Sequence, residues 1–180
     1  MTASPDRYAG MPVRRILTLA LFTGMELALS AVESMIPPFL PLPGVKLGLA
    51  NIITLIALAY VPKKQVFVVI LMRLILTGLV TGTLFVPVFW MSCGGGLLSF
   101  AVMALLSGRR MFSAVGVSLA GAAAHNTGQL LSAAFLLGNV GLFYYLPWLL
   151  LWSIPMGLFT GFSAWSAIRA LNQGGIIDKM

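Results

Sequence analysis

Long apolar stretches, broken by short clusters of charge, proline and glycine, run through this chain from end to end. Reading between those breaks gives six candidate helices, at residues 14–36, 47–61, 65–82, 85–107, 112–137 and 144–168. A helix needs about 20 residues to cross the hydrocarbon of a bilayer, and most of these stretches meet or approach that length. The pattern predicts an all-α, polytopic membrane protein forming one integral domain over residues 1–180. Short tails at 1–13 and 169–180 flank it.

Composition agrees with that reading. Only 8% of the 180 residues are charged and 59% are apolar, against about 25% and 45–50% in soluble domains, so the chain cannot coat a water-facing surface. Six spans leave no length for a separate soluble catalytic domain. The balance of 11 Lys+Arg against 4 Asp+Glu would suggest nucleic acid as partner in a soluble chain, but here the excess reads as topology. With both termini inside, Arg7, Arg14, Arg15, Lys63, Lys64, Arg109, Arg110, Arg169 and Lys179 lie on the cytoplasmic side, as the positive-inside rule requires. Lys46 falls outside and Arg73 within a span. A cleaved signal peptide is the alternative for the first stretch, since Arg14 and Arg15 precede it, but Glu26 and Glu33 interrupt it. The expected location is the cell (inner) membrane, multi-pass. No internal repeat is evident.

The first stretch carries two faces. Ala20, Gly24, Ala28 and Ala31 recur at spacings of four, four and three, so at about 100° per residue they form one small-residue stripe on which another helix can dock closely. That helix belongs either to this chain or to a partner. Glu26 and Glu33, seven apart, share the opposite face. Beyond them, Ile36-Pro37-Pro38-Phe39-Leu40-Pro41-Leu42-Pro43-Gly44 forbids a continuing helix and reads as a stiff cap on the outer face.

Ionisable and amide side chains inside hydrocarbon are costly unless paired, so each marks a candidate site. Arg73, mid-way along the third stretch, calls for an acid, and Glu26 and Glu33 are the acids within the spans. His125, Asn126 and Gln129 stand together on the fifth stretch and must point inward. Asn51 and Glu33 reach comparable depth. The substrate-binding set is therefore Glu33, Lys46, Asn51, Arg73, His125, Asn126 and Gln129, with Ala20, Gly24 and Ala28 as the partner-docking stripe. Gly78 and Gly82 end the third stretch, and Cys93-Gly94-Gly95-Gly96 reads either as a ligand-facing break or as close helix packing. Pro155 with Ser153 predicts a kink in the last stretch.

Catalytic patterns are excluded more firmly. The chain has no phosphate-binding loop, dinucleotide fingerprint, HExxH or nucleophile elbow. Its only aspartates, Asp6 and Asp178, sit one in each tail, so no aspartate cluster can hold magnesium on a diphosphate. One cysteine, Cys93, allows neither an intrachain disulfide nor a thiol metal site. The expectation is no enzyme, no cofactor and no metal.

Several of these blocks resemble one family. Ala28-Leu29-Ser30-Ala31-Val32-Glu33-Ser34-Met35-Ile36-Pro37-Pro38 and Pro43-Gly44-Val45-Lys46-Leu47-Gly48-Leu49-Ala50-Asn51-Ile52 are similar to the Gx transporter family, also labelled heptaprenyl diphosphate synthase component I. So are Met72-Arg73 with Gly78, Thr81-Gly82-Thr83, Gly94-Gly95 with Ser99, and Ala124-His125-Asn126-Thr127-Gly128-Gln129. The resemblance covers roughly residues 14–170. It implies a bundle laid out like the substrate-binding S components of energy-coupling-factor vitamin transporters, whose small-residue AxxxA stripe docks on a transmembrane coupling subunit served by cytoplasmic ATPases. The Ala20, Gly24, Ala28 stripe looks like its counterpart. It also implies a small-molecule ligand of vitamin, flavin or quinone-precursor type. The alternatives are a noncatalytic membrane accessory subunit of an isoprenoid quinone biosynthesis or extracellular electron-transfer assembly, and a carrier powered by its own ionisations.

Overall fold

A computed structural model describes residues 12–35, 48–109 and 111–173. These form six α-helices, α1 (Pro12–Met35), α2 (Asn51–Tyr60), α3 (Lys63–Val80), α4 (Pro87–Leu106), α5 (Ala114–Leu137) and α6 (Leu146–Gln173), with a 3-10 turn at Val140–Tyr145. Among the described residues there is no strand.

Local chemistry sets the boundaries. Val61 is extended and Pro62 occupies the N-cap of α3, so α2 stops before a proline and α3 restarts at once. Pro87 opens α4, where its missing N–H costs nothing because the first helical donors have no intrahelical partner. The Ser113 hydroxyl accepts the Gly116 N–H at 3.1 Å and caps α5. Gly138, with φ of 59°, ends α5 in the left-handed conformation.

The helices begin and end within a few residues of the apolar stretches, with larger differences at α2 and α6. The expected span 47–61 shrinks to the ten residues Asn51–Tyr60, about 15 Å long against roughly 30 Å of hydrocarbon. The reason is a tertiary contact: Gly48 turns with φ of 81° while its N–H donates to the Glu33 carboxylate. α6 runs on to Gln173, past the expected end at 168, and Pro155 lies inside it. The glycine run 94–96 leaves α4 unbroken, so the ligand-facing break does not form; its glycines serve close packing instead. The proline-rich segment 36–44 and Lys46 lie outside the described residues.

α5 lies between α4 and α6, α3 joins α4 to α1, and α2 packs chiefly against α6, α1 and α5. Apolar packing concentrates toward the end where α2 turns into α3 and α4 into α5. One cluster joins Ile53, Ile56, Met103, Val117 and Ala164; another joins Ala57, Val61, Val66, Ile70 and Leu74. Toward the other end the buried side chains are mixed, with Glu33, Arg73, Thr77, His125 and Gln129 among Phe89, Met91, Leu130 and Leu149.

The exterior is apolar. Phe135 is 87% exposed, and Leu17, Leu21, Leu79, Leu151, Phe159 and Phe162 are also open, while Glu26, Arg73, His125 and Gln129 are buried. A soluble protein does not expose so large a contiguous apolar surface; a chain dissolved in lipid does. Three helical segments, Arg15–Met35, Pro87–Leu106 and Val140–Gln173, are long and apolar enough to cross a membrane. α3 and α5 have the length, but α3 carries Lys63, Lys64 and Arg73, and α5 the polar run His125–Gln129. The molecule is an all-helical membrane protein.

Candidate functional site

The site begins on α1. Glu26, Ser30 and Glu33, spaced by four and three, fall on one face and are buried, whereas Ala20, Gly24 and Ala28 on the other face are exposed. A side chain at Gly24 would meet nothing within 4 Å. The described part of the chain therefore leaves the small-residue stripe bare, and the acidic face turns inward.

Arg73 of α3 answers one of those acids. Its Nε lies 3.3 Å from Glu26 Oε2, and the Thr54 hydroxyl of α2 donates to Glu26 Oε1 at 2.6 Å. This triad ties α1, α2 and α3 together inside the bundle, where an unpaired charge is expensive. Of the two acids, Glu26 takes the arginine, and Glu33, two turns further along, takes the backbone of Gly48. An Nη of Arg73 presses on α4: a Cβ at Gly96 would sit 2.8 Å from it.

His125 approaches from α5. A Cβ at Gly48 would meet Asn51 Nδ2 at 2.9 Å and the His125 ring at 3.4 Å, so Asn51, His125 and the Glu33-bound turn share one neighbourhood. Ser30, Glu33, Arg73, Leu74, Thr77, Gly78, Thr83, Phe89, Ser92 and His125 line one internal cavity of ≈ 20 Å³, about the room one water needs. Helices α1, α3, α4 and α5 all contribute.

The polar run on α5 divides by face. Gln129, fully buried, packs with the His125 ring against Gly95 of α4, where a Cβ would meet Gln129 Cγ at 2.7 Å and His125 Cε1 at 3.1 Å. Asn126 points the other way and donates from Nδ2 to the Leu149 carbonyl of α6 at 2.9 Å. Asn126 is thus an interhelical tie, set apart from Glu33, Arg73 and His125. Thr127 bonds back to Ala123.

Sequence reading missed the hydroxyls Ser30, Thr77, Thr83 and Ser92. Their signal is faint because serine and threonine in helices commonly bond a carbonyl of the preceding turn, as Ser92 does with Val88 at 2.9 Å. Thr77 differs. It is 6% exposed, lines the cavity, and its Oγ1 has no hydrogen-bond partner. Replacing an unpaired buried hydroxyl by a methyl removes a desolvation cost of about 1–3 kcal/mol. Thr77→Val is therefore expected to hold or raise the thermal midpoint while weakening any ligand that bonds there. A fall in midpoint of several degrees would contradict that assignment.

Fold and geometry together define a helical membrane protein with a small cavity between its helices, lined by both polar and apolar side chains. The family model for heptaprenyl diphosphate synthase component I matches residues 22–166, and the chain belongs to that family. No curated protein and no solved structure matches it.

Proposed function

We propose that this chain is the integral membrane substrate-binding subunit of a small-molecule uptake transporter, energised by separate coupling and ATPase subunits. Its ligand is of vitamin, flavin or quinone-precursor type. The six helices lie in an N-in, C-in arrangement in the cell membrane, with α2 reaching only part-way. The observation that carries the reading is the convergence of Glu33, Arg73 and His125 from three helices on one cavity, ringed by hydroxyls. Such a set of donors and acceptors, with Leu74 and Phe89 as apolar walls, suits a small polar or amphipathic molecule. Lys46, Asn51, Asn126 and Gln129 belong to the proposed set, Asn126 as a brace.

At ≈ 20 Å³ the cavity is well below the roughly 300–1,000 Å³ of small-molecule sites, so capture requires helices to separate. α1 suits that motion, because it packs mainly on α3 and α2 and exposes most of its length. Its bare stripe supplies a seam for a coupling subunit, which would link ligand capture to a partner's power stroke.

The test is co-purification. A tagged chain drawn gently from its native membrane is expected to bring down a membrane coupling subunit with ATPases. Gly24→Trp is expected to lose that partner at least tenfold with the chain's own thermal midpoint unchanged, since the added ring meets open space and blocks close approach. Retention of the partner by Gly24→Trp would remove the stripe from the mechanism. The family description favours a second reading, a noncatalytic accessory subunit of an isoprenoid quinone assembly. It predicts a prenyl-transferring enzyme, and no ATPase, in the same eluate.

A further inference from the structure

The end of the bundle opposite the cavity carries a second opening. The first turn of α3, the last turns of α4 and the turn that follows form an open groove of ≈ 700 Å³. Ala101, Ala104 and Leu105 make an apolar wall; Lys63, Ser107 and Arg109 make a polar rim. One turn deeper, the Phe67 and Phe100 rings, with centroids 5.8 Å apart, hold α3 against α4.

The rim is positive and uncompensated. Lys63 and Arg109 are exposed, and the only carboxylate side chains among the described residues, Glu26 and Glu33, are buried at and beyond mid-length of α1, in the acidic face already described. The first turn of α3 holds no acid, so the positive end of its dipole adds to the field. The wall itself is open to the exterior, Leu105 at 65%, and Phe67, 40% exposed, lies next to it on the apolar outer surface.

We propose that this groove binds an anionic phospholipid, its phosphate between Lys63 and Arg109 and an acyl chain along Ala101, Ala104 and Leu105. Basic pockets between membrane helices suit such headgroups. A soluble phosphate would satisfy the rim and leave the wall unused. The inference rests on the membrane character of the chain and is independent of any transport role.

Native mass spectrometry of the full chain in mild detergent, offered equimolar dioleoyl phosphatidylglycerol and dioleoyl phosphatidylcholine, tests it. The wild-type chain is expected to retain phosphatidylglycerol about tenfold or more over phosphatidylcholine. Each basic side chain at an anionic surface is worth a factor of about five, so Lys63→Gln with Arg109→Gln is expected to bring the two lipids to near parity. Circular dichroism should be unchanged, because both side chains are exposed. Arg169→Gln, which removes a cation lying 5.4 Å over the Trp165 ring, should leave the preference intact. Ala104→Trp fills the wall without touching charge and should also reduce retention. The proposal is overturned if the wild-type chain shows no preference, if Ala104→Trp and the double variant both keep it, or if millimolar glycerol phosphate displaces the lipid fully. The first result would point the groove toward an acidic protein segment, the last toward a headgroup site without an acyl component.

Discussion

Glu26→Gln is expected to destabilise the protein by about 3–5 kcal/mol, the usual cost of breaking a buried ion pair from one side. The substitution keeps the shape and the Thr54 contact but leaves the Arg73 guanidinium, 6% exposed, facing a neutral amide at 3.3 Å. A guanidinium cannot shed its proton, so the charge stays. Arg73→Met should cost less, because a lone carboxyl can take up a proton and become neutral. Glu26→Gln combined with Arg73→Met removes both charges and should recover most of the loss. The measurement is a double-mutant cycle on thermal unfolding in mild detergent, with an interaction energy of at least about 2 kcal/mol expected. Additive losses would mean that the pair observed between α1 and α3 contributes little to holding them together.

The pairing shows what a sequence of this kind makes legible. With so few acids within the helices, that Arg73 meets Glu26 or Glu33 follows from the cost of a lone intramembrane charge. Which of the two it meets does not, because the choice depends on the depth at which α1 slides against α3. The two faces of α1 were likewise readable from spacing alone, since residues three and four apart share a side. The exposed Gly24 and buried Glu26 fall where the wheel puts them.

Other features were closed to sequence reading for a physical reason. The run 47–61 is mostly apolar, with Asn51 and Thr54 as its polar positions, and reads as a span; the Glu33 carboxylate, fifteen residues upstream of Gly48 in the chain, holds the turn that keeps Gly48, Leu49 and Ala50 out of the helix. The group His125, Asn126 and Gln129 reads as one polar surface because all three must avoid lipid. Yet adjacent positions point about 100° apart, enough to send Asn126 to α6 and His125 to the cavity. The hydroxyl lining carried no charge and no distinctive spacing, so it became visible only with the neighbouring helices in place.

The glycine run in α4 leads to the other large expectation. Gly128→Ala should cost more than about 3 kcal/mol, beyond the roughly 1–3 kcal/mol typical of overpacking, and should reduce the yield of monodisperse protein. Everything a Cβ at 128 would strike is backbone: the Gly94 carbonyl oxygen, its carbon at 2.8 Å, and the Gly95 Cα at 3.0 Å. Side chains can rotate away from an intruder; two helical backbones can only part. Parting α4 from α5 would also pull His125 and Gln129 away from Gly95, so the loss of stability and the loss of the site should travel together. Gly96→Ala makes the informative contrast, because its nearest neighbour is the tip of Arg73 at 2.8 Å, a flexible group that can shift. Gly24→Ala, with nothing in reach, should hold or gain stability through helix propensity alone. Thermal midpoints ranked Gly24→Ala, then Gly96→Ala, then Gly128→Ala would bear this out. A Gly128→Ala protein as stable as Gly24→Ala would mean that α4 and α5 do not meet through their glycines, and the placement of His125 beside the cavity would fall with that contact.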